Sequence, residues 1–140
     1  MRAFLFTSAS GWIATLLIAT EILLPYLLRR SRLSEWLGVA EGFAKPYLVR
    51  MWPHYWAGYA LLVLSLMHAW VPMRAGYARG ANALGLSIAT AALGALLSQA
   101  VLGLALHDAK VQSRAGLRRS HYWLMVAIAA GVAAHIALNG

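Results

Sequence analysis

Two stretches decide how this chain is read: HYWAGYALLVLSLMH over residues 54–68 and HYWLMVAIAAGVAAH over residues 121–135. Both open on the same three residues, His54, Tyr55 and Trp56 in one and His121, Tyr122 and Trp123 in the other. Both close on a second histidine fourteen residues after the first, His68 and His135. At 100° per residue, fourteen steps return to within about 40° of the start, so the two histidines of each stretch share one helix face. At 1.5 Å per residue they stand about 21 Å apart along the axis, one toward each end of a membrane-length helix.

Working outward, the 140 residues are 61% hydrophobic and 11% charged, which is far from soluble globular usage and fits one domain, residues 1–140. A hydrocarbon core of roughly 30 Å takes about 20 apolar residues to cross. Four stretches meet that length: Phe6 to Leu28, Met51 to Met73, Ala81 to Leu106 and Ser120 to Leu138. The expected fold is therefore all-α, a four-helix transmembrane bundle. Between the first two spans, Leu33, Trp36, Leu37, Ala40 and Phe43 recur at helical spacing, with Arg32, Glu35 and Glu41 elsewhere on the wheel. That pattern fits a short interfacial helix between helices 1 and 2, or an ordinary structured loop. Pro46 is expected to end it, Pro53 to sit in the first turn of helix 2, and Pro25 to kink helix 1.

The net charge of +8 invites a nucleic-acid partner, but the basic residues lie in short segments beside apolar spans. Nine of the twelve sit in two segments: Arg29, Arg30, Arg32, Lys45 and Arg50 in one, Lys110, Arg114, Arg118 and Arg119 in the other. Arg2, Arg74 and Arg79 remain on the opposite side. The positive-inside rule then puts both termini outside and the two basic loops in the cytoplasm, with membrane lipid rather than nucleic acid as the partner. A multi-pass protein of a bacterial-type inner (plasma) membrane is expected. The positive cluster follows the first apolar run, whereas a cleaved signal carries it ahead, so helix 1 is expected to be retained.

Helices 2 and 4 are separated by one span, so they run parallel. His54 then lies level with His121, and His68 with His135, giving two facing imidazole pairs at two depths. Haem iron takes two axial ligands on opposite sides of a planar ring, and imidazole nitrogen suits it. With no cysteine in the chain and no carboxylates near the pairs, haem is favoured over thiolate, iron–sulfur or directly caged metal chemistry. Two b-type haems with bis-histidine ligation are therefore expected. Gly58 and Gly131, four residues from His54 and His135, could let a macrocycle approach the backbone. Arg50, Arg114, Arg118 and Arg119 at one surface, and Arg74 and Arg79 at the other, could meet haem carboxylates. Gly85, Gly94 and Gly103 of helix 3 read as plain small-residue packing. His107 is open to an interfacial capping role or a proton-handling, quinone-contacting one. Glu21, the only acidic or basic side chain within the four spans, and Gln99 could simply hydrogen-bond between helices.

Paired histidines at this spacing on two parallel helices resemble the dihaem cytochrome b motif, over His54 to His135. Two families share it: the cytochrome b subunit of quinol-oxidising respiratory complexes, and the ferric reductase-like transmembrane domain that also forms the membrane part of NADPH oxidases. The short interval between the ligand helices, and their start on the cytoplasmic side, make the ferric reductase-like domain the nearer resemblance. The chain departs from it in having four helices where that family usually has six, and in lacking a flavin or nicotinamide domain. The resemblance implies transmembrane electron transfer through two haems, with electrons supplied by a partner.

The expected function is thus that of a membrane subunit of a larger oxidoreductase, with redox partner subunits and quinone as a lipid-phase partner. No catalytic residue is assigned. Two other classes stay open. One is a self-sufficient quinone-linked reductase or oxidase acting on ferric ion or superoxide; the other is a haem-free anchor for a soluble subunit.

Overall fold

The computed structural model describes residues 2–29, 51–75, 81–107 and 114–139. Among the described residues the chain is entirely helical: α1 (Arg2–Arg29), α2 (Trp52–Ala75), α3 (Ala83–His107) and α4 (Arg114–Asn139). The suggested interfacial helix over Leu33 to Phe43, together with Arg50 and Arg79, falls outside them. Their lengths of 28, 24, 25 and 26 residues correspond to roughly 36 to 42 Å at 1.5 Å per residue. α3 and α4 are both long and apolar enough to cross a membrane, with mean hydropathies of 1.8 and 1.6. α2 is of similar length and carries two histidines among its apolar residues.

Helices outrun the apolar spans by four residues or more at two ends. α4 begins at Arg114 rather than Ser120, and α1 at Arg2 rather than Phe6. The cause is that hydropathy marks only the apolar part, whereas arginine, alanine and leucine propagate a helical ladder beyond it. Pro53 does lie in the first turn of α2, and α1 runs on through Pro25 to Arg29.

The start of α3 is fixed by Asn82. Its Oδ1 accepts from the backbone N–H of Leu84 at 2.9 Å and of Gly85 at 3.2 Å, satisfying two of the donors a helix leaves open at its N-terminus. Its own N–H donates to Asn139 Oδ1 at 2.7 Å, which ties the first turn of α3 to the last turn of α4. Along the helices, Thr15, Thr20, Ser87, Thr90 and Ser98 donate their hydroxyls to the carbonyl four residues earlier. This keeps polar side chains satisfied without any partner on a neighbouring helix.

α1 packs closely on α2 and α3 on α4, while α2 and α3 meet more sparsely. The core is one thin layer to which every helix contributes: Ala14 and Ile18 from α1, Leu61 from α2, Leu96 from α3 and Ile128 from α4. Leu61 and Ile128 are the most enclosed, at 2% and 1% exposure. Each stands seven residues from both histidines of its helix. The apolar layer therefore lies midway between two histidine levels. Around it, large apolar side chains such as Leu16, Val63, Leu97, Val101 and Leu104 face outward.

Candidate functional site: two facing histidine pairs

The four histidines meet in two pairs. The ring centroids of His54 and His121 are 6.2 Å apart with planes at 72°, and those of His68 and His135 are 6.5 Å apart at 85°. Two imidazoles bound at about 2.0 Å to opposite sides of one metal ion, with about 1.1 Å from nitrogen to ring centre, would place their centroids about 6.2 Å apart. Both pairs have that spacing. Among the described residues no group of three or more His, Cys, Asp or Glu gathers to hold a metal ion. The donor sets are imidazole pairs, which suit an iron whose four other positions belong to a porphyrin.

What surrounds each ring decides which nitrogen is free to ligate. His135 Nδ1 lies 3.1 Å from the carbonyl oxygen of Gly85. A carbonyl can only accept, so Nδ1 carries the proton there and Nε2 keeps its lone pair. Asn139 Nδ2 stands 3.4 Å from the same Nδ1 and crowds it without displacing that bond. His68 Nδ1 is 3.2 Å from Ser10 Oγ, and its ring lies flat enough on α1 that a Cβ at Gly11 would come within 3.0 Å of His68 Cε1. His54 Nδ1 approaches Glu21 Oε2 to 2.5 Å without hydrogen-bond geometry, so a carboxylate does lie beside one pair, against the expectation from the sequence, because α1 turns Glu21 toward α2 at that depth. In His121 the Nδ1 is buried with no hydrogen-bond partner among the described residues, and a Cβ at Gly103 would stand 3.7 Å from its Cε1.

Three of the four rings thus have an oxygen at Nδ1, the second-sphere arrangement that fixes tautomer and orientation in metal-ligating histidines. The oxygens come from α1 and α3, the two helices that carry none of the four histidines. Gly85 and Gly103, read from the sequence as plain helix packing, also adjoin His135 and His121, and Gly85 packs closely on Leu138 and Asn139 of α4. Ser10, Gly11, Asn82 and Asn139 had not been singled out at all. Their signal was available in part, because in an antiparallel hairpin Ser10 and Glu21 fall at the depths of His68 and His54.

Other candidate residues are placed as follows. A Cβ on Gly58 would have nothing within 4 Å, so open space lies one turn from His54. Gly131 faces α3, where its Cβ would be 3.2 Å from Ala92 Cβ, and so serves the α3/α4 contact. Arg74 is exposed and stacks on Trp70, with Cζ 5.3 Å from the ring centroid. Arg118 and Arg119 are exposed in the first turns of α4, and Arg114 is half-buried. His107 ends α3 in edge contact with Tyr55, centroids 5.5 Å apart, beside the His54/His121 level. Gln99 is buried, and its Oε1 has no hydrogen-bond partner among the described residues. No family model, curated protein or solved structure matches the chain.

Proposed function

We propose that this chain is a four-span membrane cytochrome that holds two b-type haems, one between His54 and His121 and one between His68 and His135. It would carry electrons across the bilayer as the membrane subunit of a larger oxidoreductase that exchanges electrons with quinone. The observation that supports the reading is the two facing imidazole pairs, with ring centroids 6.2 and 6.5 Å apart and an oxygen close to Nδ1 of three rings. Bound there, haem would supply one-electron chemistry between ferric and ferrous iron.

The chain's own residues supply the rest. Four imidazoles hold the two levels; Glu21, Ser10 and the Gly85 carbonyl orient three of them; Leu61, Ile128, Leu96, Ile18 and Ala14 keep the space between the levels apolar. Trp52, Trp56, Tyr122 and Trp123 are exposed at the start of α2 and α4, and Trp70 toward the other end of α2. Aromatic side chains at both ends of a helix layer whose outer face is apolar are what two membrane interfaces call for. The distribution of arginine and lysine supports cytoplasmic placement of the His54/His121 end, with both termini outside.

The test is a reduced-minus-oxidised absorption spectrum, with haem counted per chain, for the wild type and for His68→Ala. Two haems falling to one is expected. No haem in the wild type would overturn the assignment and leave the anchor reading; an unchanged count in the variant would overturn His68 as a ligand.

A further inference from the structure

The two histidine pairs have equal spacing but unequal surroundings. At the His68/His135 level both Nδ1 atoms meet neutral oxygens, a serine hydroxyl at 3.2 Å and a backbone carbonyl at 3.1 Å. At the His54/His121 level the oxygen is a carboxylate, that of Glu21, at 2.5 Å from His54 Nδ1. Glu21 is 6% exposed, and it is the only acidic residue among the described side chains. Its second oxygen, Oε1, is buried without a hydrogen-bond partner among them. A buried carboxylate with one oxygen committed to an imidazole is an expensive arrangement unless that contact has a purpose.

We infer that Glu21 is the positioning residue of the His54/His121 site, holding His54 through Nδ1 and making that site the lower-potential one of the two. The inference rests on the dihaem reading above. A carboxylate this close to Nδ1 sets negative charge against the ring, and it raises the basicity of the ligating nitrogen. A more basic ligand, with negative charge close by in a medium of low dielectric, favours the ferric over the ferrous state. The hydroxyl and carbonyl at the other level do this less. Two ligand pairs that look identical in the sequence would thus differ in potential because α1 places a glutamate at one depth and a serine at the other. A downhill direction for the electron follows, from the His54/His121 level to the His68/His135 level.

The test is a spectroelectrochemical titration of the full-length protein and of Glu21→Gln, each also in a His68→Ala background that leaves only the His54/His121 haem. Glu21→Gln keeps size and an acceptor oxygen but removes the carboxylate. The expected result is a rise in one midpoint only, by a tenfold change in the ferrous-to-ferric ratio at fixed potential, about 59 mV for one electron. The same rise must appear in the single-haem background. Two haems bound with both midpoints unmoved, or with both moved equally, would overturn the inference while leaving the dihaem reading intact. Absence of haem from the wild type would overturn both. Should Glu21→Gln lose the His54/His121 haem, Glu21→Asp must retain it with a raised midpoint, because the shorter side chain lengthens the contact. An Asp variant with the wild-type midpoint, or without that haem, would also sink the inference.

Discussion

Gly85→Ala is the perturbation whose outcome the structure specifies most closely. In an ordinary helix interior the change gains about 1 kcal/mol of propensity. Here the new Cβ would stand 1.8 Å from Asn139 Nδ2, 2.9 Å from Asn139 Cγ and 3.0 Å from Leu138 Cβ. The Asn139 amide can swing aside, but it then gives up its 2.7 Å bond from the Asn82 N–H, a loss of about 1 kcal/mol. Leu138 Cβ is fixed to the α4 backbone and cannot swing, so α3 and α4 must part locally, at the roughly 1 to 3 kcal/mol typical of an overpacked contact. The gain and the lost bond cancel, leaving a net destabilisation of about 1 to 3 kcal/mol. The parting also lengthens the Gly85 carbonyl contact at His135 Nδ1, so on the dihaem proposal the His68/His135 haem should be lost or weakened before the other. Gly94→Ala, in the same helix with nothing within 4 Å of the new Cβ, is the control and should be neutral or slightly stabilising. Haem per chain and the midpoint of thermal haem loss in detergent measure both effects. If Gly85→Ala matched Gly94→Ala in stability and kept both haems, the account of how α3 orients His135 would be wrong.

Ile128→Ala should cost on the order of 2 kcal/mol, the cavity term of about 24 cal/mol per Å³ for the roughly 75 Å³ of three lost carbons. Leu97→Ala, at a side chain 45% exposed, should cost almost nothing by the same denaturation assay; equal costs would mean the central layer is not the core. Gly58→Leu puts a side chain into the open space one turn from His54 and, on the dihaem proposal, should displace the His54/His121 haem from a chain that still folds. Retention of two haems in that variant would mean the macrocycle does not lie over Gly58.

The histidine lattice was legible because it depends only on helix geometry. Once α2 and α4 are helices, the fourteen-residue interval fixes which face and which depth His54, His68, His121 and His135 occupy, and parity of the spans makes the two helices parallel. Helix ends were less legible, since α4 begins six residues ahead of its apolar span at Arg114, where the ladder continues without any hydrophobic signal. Least legible were the partners of the rings. Whether α1 turns Ser10, Gly11 and Glu21 toward α2, and whether α3 turns Gly85 and Gly103 toward α4, depends on rotation about the helix axis. An apolar helix surrounded on most sides by apolar contacts carries almost no amphipathic signal for that rotation. Polarity marked Glu21 and Gln99 as unusual residues, yet only the packing supplied the contact to His54.

The pairing of helices would give the four histidines a role beyond the proposed ligation. α1 with α2 and α3 with α4 form two closely packed halves, and the seam between them is sparser. Both histidine pairs cross that seam, His54 and His68 from one half and His121 and His135 from the other, with Leu61 and Ile128 between them. In lipid there is no hydrophobic drive to close such a seam, because acyl chains solvate leucine as well as protein does. Closure then depends on shape fit in a thin layer and on whatever binds both halves at once. A ligand that binds only the closed form stabilises it by about 2.7 kcal/mol at a hundred times its Kd. That exceeds the on the order of 2 kcal/mol of cavity cost worked above for truncating Ile128. Haem held at two levels would therefore clamp the halves together as well as carry charge. The oxygens on α1 and α3 that orient the rings would act within each half before the seam closes, since Glu21 and Ser10 belong to the half of His54 and His68, and Gly85 to the half of His135.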